Sequence, residues 1–198
     1  MTGSVTSIGI AYERNIDLDT FAVEILRGLV ALPGETLDRR WPMRFLYGDH
    51  EAWVATELCA SEDFQNQLKM LKRFLTSPYG ELDISVYLRG IGRVTGIIRP
   101  EYSYTGILID FFDADLYFGE GMRDPGIVEA AVKDVLTAWY DASRFSVAFA
   151  DHEAEFEYDP LSLKNNSNEY ALLVSTMKGS SDSLDFPPLC HALTPLGG

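Results

Sequence analysis

Over Glu81–Arg89 apolar and polar positions alternate with a period of two: Leu82, Ile84, Val86 and Leu88 interleave with Glu81, Asp83, Ser85 and Tyr87. Neighbouring side chains of a strand point to opposite faces, so this pattern predicts a strand with one face buried. Thr105–Phe118 is longer and more apolar, with Ile107, Leu108, Ile109, Phe111 and Phe112 together, and predicts a central strand bent near Asp113. Val5–Tyr12, with Ile8 and Ile10 on one face, predicts the first strand. Arg144–Asp159 predicts a further long strand and Glu169–Met177 the last. Between Thr36 and Ala60, residues Trp41, Phe45, Tyr47, Trp53 and Val54 predict one or two strands about a turn at Gly48-Asp49.

Three segments carry helical spacing instead. Asp17 and Asp19 offer capping oxygens before Phe21, Ala22, Ile25, Leu26 and Leu29, and Pro33-Gly34 stops the run. Ser61-Glu62-Asp63 starts a second helix with Phe64, Leu68, Leu71 and Leu75 on one face; Lys69, Lys72 and Arg73 lie toward its negative end. Asp124-Pro125 pairs a capping carboxylate with proline at the first helical position, ahead of an apolar stripe of Val128, Ala131, Val132, Val135 and Trp139.

The strands outnumber the helices, and those from Glu81 to Phe118 follow one another with no helix between them. This predicts an α+β fold: a mainly antiparallel, twisted sheet with about three helices packed on one face. Residues 1–178 read as one domain. The tail 179–198, with three serines, three prolines and three glycines, reads as surface-lying or flexible.

Charge adds an asymmetry. The 198 residues carry a formal net charge of −14. Residues 1–100 hold 13 acids and 11 bases, and residues 101–198 hold 17 acids and 5 bases. Such a field repels nucleic acid and anionic lipid and draws cationic surfaces. Cys59 and Cys190 show no metal or redox spacing, the first residues lack a signal-peptide pattern, and no apolar run approaches the roughly 20 residues of a membrane helix. The expectation is a cytoplasmic protein with reduced thiols, no membrane contact and no cofactor.

The acids concentrate where the predicted strand Phe145–Pro160 changes character. Phe145, Val147 and Phe149 share a face that continues as Asp151, Glu153, Glu155, Glu157 and Asp159. Along a strand such side chains stand about 6.5–7 Å apart, and a core cannot hold five unpaired carboxylates. The row admits three readings: a solvated face, a docking strip for a basic partner, or a divalent metal site. Metal ligands must converge to about 2.0–2.6 Å, which a straight row opposes. Asp113 and Asp115 add two acids on one face of a second strand. His152 points to the opposite face, as a half-buried satisfied histidine or as a base; His50 and His191 have no assignable partner. Tyr104 and Tyr117, at strand ends, are candidate aromatic anchors, since tyrosine supplies contact area at low entropy cost. No complete metalloprotease, serine-hydrolase, phosphate-loop or zinc motif is present.

The layout resembles bacterial immunity proteins that neutralise secreted polymorphic or contact-dependent toxins, in particular those found beside restriction-endonuclease-like DNase effectors. The resemblance rests on Ser7–Leu32, the Glu81–Phe118 strand pair, the Asp124–Tyr140 helix and the segment Phe149-Ala150-Asp151-His152-Glu153-Ala154-Glu155. It implies a non-enzymatic partner of one cognate toxin, with no direct contact to nucleic acid. Joined to the charge pattern, it gives a leading reading: an immunity protein blocking a cationic, nuclease-type toxin through Asp113, Asp115, Asp151, Glu153, Glu155 and Glu157, with Tyr104 and Tyr117 as anchors. The competing readings are a small metal-dependent hydrolase using His152 and nearby carboxylates, and a nucleic-acid mimic directed at a DNA-binding protein.

Overall fold

The computed structural model describes residues 4–12, 15–34, 39–47, 52–59, 61–101, 105–118, 123–155, 162, 169–176 and 184–193. Among these, eight strands form one sheet: β1 (Val5–Ala11), β2 (Arg40–Tyr47), β3 (Ala52–Cys59), β4 (Gly80–Leu88), β5 (Gly92–Glu101), β6 (Gly106–Phe112), β7 (Val147–His152) and β8 (Leu172–Ser175). Their order is β3-β2-β4-β5-β6-β1-β7-β8, and every pairing is antiparallel. The helices are α1 (Leu18–Ala31), α2 (Phe64–Leu75), a single short turn α3 (Asp113–Tyr117), and α4 (Pro125–Ala142). The α+β fold expected from the sequence is therefore the observed one.

Period-two burial sorts the sheet into two faces. Leu82, Ile84, Val86 and Leu88 of β4 join Ile8, Ile10, Ile98, Ile107, Ile109 and Ala148 in the main core, beneath the apolar stripes of α1, α2 and α4. The opposite face carries a smaller cluster of Ala11, Leu108, Val147, Phe149, Tyr170 and Leu173, where Tyr170 stacks on Phe149 at 4.2 Å. The helix starts follow capping chemistry. Asp17, Asp63 and Asp124 each accept backbone N–H groups of the first turn, and Pro125 follows Asp124 as expected.

Three expectations need correction. The strand predicted over Thr105–Phe118 ends at Phe112, because Asp113 begins α3 and carries the chain out of the sheet. Of the strand predicted over Arg144–Asp159, residues 156–159 lie outside the described residues, and among the described ones the strand is Val147–His152; Glu153 adopts φ 51, a left-handed turn conformation that ends this extended run. The buried stripe of α2 is Gln67, Leu71 and Phe74, and Phe64 stands exposed. In the tail, Leu184, Phe186 and Leu189 pack against the core, and Leu193 is buried within it.

α1 meets α4 at Gly28, where a Cβ would overlap the indole of Trp139. That indole is fixed, since its Nε1 donates to the Tyr12 hydroxyl at 2.8 Å. Gly28→Ala gains helix propensity of about 1 kcal/mol but overpacks the Trp139 ring by a wide overlap, which places its gross cost at the upper end of the usual range, about 3 kcal/mol. The expected outcome is a lower urea midpoint at unchanged slope; an equal or higher midpoint would contradict this packing.

Candidate partner-binding site

β1 lies between β6 and β7 and runs antiparallel to both, so its first residues meet the last residues of each. Ser7 stands opposite Asp110 on one side and Asp151 on the other. Thr6 stands opposite Phe111 and His152. The pairing continues past the strand ends: Asp113 N–H donates to Ser4 O at 3.1 Å and Glu153 N–H to Val5 O at 2.9 Å. This register gathers acids from two distant segments at one end of the sheet, and the alternation of β1 then divides them between its faces.

On the helix-covered face the Thr6 hydroxyl donates to Asp113 Oδ1 at 2.9 Å, and His152 Nε2 lies 2.8 Å from Asp113 Oδ2. The Tyr117 hydroxyl, 3.3 Å from Thr6 Oγ1, donates to Leu193 O at 2.7 Å and so ties the tail to this network. Burial, reinforced by the charges of Asp113 and Asp151, raises the Tyr117 phenol above its ordinary range against the lowering contact with Thr6. On the open face Asp110 accepts from Ser7 Oγ and from Arg99 Nε, both at 2.7 Å. Burial alone would lower Arg99, but the hydrogen bond and charge of Asp110, with Glu155 and Glu101 nearby, hold it above its ordinary value. Asp151 accepts from His152 N at 2.7 Å, Ala171 N at 3.0 Å and His191 Nε2 at 2.8 Å.

The sequence-predicted residues separate accordingly. Asp113 and Tyr117 are 1% and 2% exposed, so they brace the site from inside and present no surface. Asp115 is in α3 and not on a strand face; its Oδ2 accepts from Thr95 N and Oγ1, replacing the partner that β5 loses where β6 ends. Asp151 is half-buried, whereas Glu153 and Glu155 are exposed. Glu157 and Tyr104 lie outside the described residues. Asp110, Arg99, Thr6, Ser7 and His191 were not anticipated. Only Asp110 left a trace, as a lone acid between Ile109 and Phe111.

Most of these carboxylates are held by neutral donors: hydroxyls and backbone N–H groups. Such bonds fix a carboxylate without cancelling its charge. Asp110, Asp113, Asp115, Asp151, Glu153 and Glu155 therefore share one end of the molecule with Arg99 as the arginine paired to a carboxylate there. Among the described residues no three of His, Cys, Asp and Glu gather as a metal ion requires. Thr6→Val keeps the shape of the side chain and removes the donor to a buried carboxylate, which costs about 1–3 kcal/mol. Chemical denaturation should show that loss, and a stability equal to the parent would remove Thr6 from the network.

No helix among the described residues is long and apolar enough to cross a membrane. Comparison with known proteins finds no match among curated proteins and none among solved structures. The family model described as Immunity protein 64 matches residues 45–185, which take in every acid of the site and leave β1 and α1 outside. That match spans most of the chain, and it sets aside the hydrolase reading of His152. The chain belongs to the immunity protein 64 family: it is an immunity protein, a non-enzymatic binder of a cognate toxin.

Proposed function

We propose that the cognate toxin is cationic and of nuclease type, and that the chain neutralises it in the cytoplasm by docking the acidic end of the sheet on the surface with which the toxin grips nucleic acid. The observation that supports this reading most is the convergence of six carboxylates, drawn from residues 110–115 and 151–155, on one end of the sheet. Glu153 and Glu155 are the outward acids, and Glu155 has a side chain 72% exposed with only a 4.0 Å approach to Arg99. Asp115 sits at the rim. Asp113, Asp151 and Tyr117 fix the scaffold, and the charges of the two aspartates add to the field. Glu157 and Tyr104 stay with this reading as partner contacts on sequence grounds alone.

A field of this kind acts first on encounter. Complementary charge raises association rates and its effect fades with salt. The Glu153→Lys, Glu155→Lys double variant leaves the buried network intact and should melt at the parent temperature. Against a catalytically inactive form of the cognate toxin, stopped-flow mixing at low salt should show association slowed by about tenfold or more. An association rate and salt slope equal to the parent's would overturn the reading.

A further inference from the structure

Beside the acids the surface is hollowed. A cleft of about 370 Å³ is lined by Ser4, Thr95 and the run Phe112–Asp115, with Phe118 beside it. Three observations concern what fills it. Phe118 is 52% exposed, and its ring leans on the buried ring of Tyr117 at 6.4 Å, so an aromatic face is held out to solvent from a rigid support. Asp115 points one carboxylate oxygen at Thr95, and nothing among the described residues donates to the other. The neighbouring cation, Arg123, spends its guanidinium on the backbone carbonyls of Ile91, Asp115 and Leu116 and leaves that carboxylate unneutralised.

An apolar wall, an exposed aromatic face and a half-satisfied carboxylate together suit one kind of side chain. Arginine packs its methylenes on apolar surface, lays its guanidinium on an aromatic ring and donates in a fork to a carboxylate. A neutral apolar side chain would fill the space and leave Asp115 facing it. A lysine would supply charge without the flat face that stacks on Phe118. We propose that this cleft is the seat for an arginine side chain of the toxin, held between Phe118 and Asp115. The proposal rests on the acidic-end reading and adds to it a specific anchor: the outward glutamates set the rate of encounter, and the cleft sets the lifetime of the complex.

The test uses the full chain and a probe independent of the toxin. Capped Gly-Arg-Gly peptide is titrated into isotope-labelled protein and followed by NMR, with capped Gly-norleucine-Gly as the neutral control. Saturating shifts confined to Ser4, Thr95 and Phe112–Phe118 are expected with arginine and not with norleucine. Asp115→Asn keeps an oxygen for Thr95 and removes the charge, and Phe118→Ala removes a half-exposed ring that rests on Tyr117, the fold being checked by an unchanged spectrum away from the cleft; each should weaken binding about fivefold or more. The same two variants should hasten dissociation of the toxin complex about tenfold. Shifts scattered over the acidic surface, or equal affinity in parent and variants, would overturn the seat. If the seat holds while the Glu153 and Glu155 charge reversals leave toxin association unchanged, the docking reading fails and the cleft does not. If the reversals slow association while Phe118→Ala and Asp115→Asn change nothing, the cleft alone fails.

Discussion

The antiparallel insertion of β1 between β6 and β7 is the constraint on which the acidic end depends. β6 and β7 do not pair with each other; each pairs with β1, and through the first residues of β1 segments about forty positions apart share one edge of the sheet. The alternation of β1 then assigns opposite roles to adjacent residues. Thr6 faces the helices and holds Asp113, while Ser7 lies on the opposite face of the sheet and holds Asp110, both of them buried. A slip of one residue would exchange the two faces and bury the wrong carboxylates without donors.

Holding charges this way has consequences for binding. A buried carboxylate is stable only when its lone pairs are filled, and here hydroxyls, backbone amides and two imidazoles fill them. Because most of those donors are neutral, the site is ordered and stays negative. In the docking proposed above, the outward glutamates stand on this held scaffold, an arrangement that favours both fast encounter and low ordering cost. The tail takes part as well: Leu193 is buried, its carbonyl receives Tyr117, and His191 reaches Asp151. Within the tail that reads as surface-lying or flexible, the described residues 184–193 are thus tied to the scaffold.

The sheet was legible where burial alternates cleanly, as in β4, and the helices where a capping acid precedes an apolar stripe, as at Asp17 and Asp124. The family resemblance also pointed to the class of protein. What misled was local continuity. Residues 113–118 keep a strand-like mix of acids and apolar groups, yet Asp113 and Asp115 are used as side-chain acceptors at the point where β6 ends, a demand set by Thr6 and Thr95 far away in the chain. The apparent row from Asp151 to Asp159 is broken at Glu153 by a positive φ that no residue type there announces. Asp110, Arg99 and His191 were missed for the same reason: their meaning comes from cross-strand partners and not from neighbours in sequence.

Hydrogen exchange of the chain alone and in complex with its toxin reads every part of the surface at once and so locates the docking face. New protection should concentrate at Ser4–Ser7, Phe112–Phe118 and Asp151–Glu155. Protection centred on α1 and α2, or on the edge strand β3, with the acidic end left unchanged, would contradict docking at the acidic end.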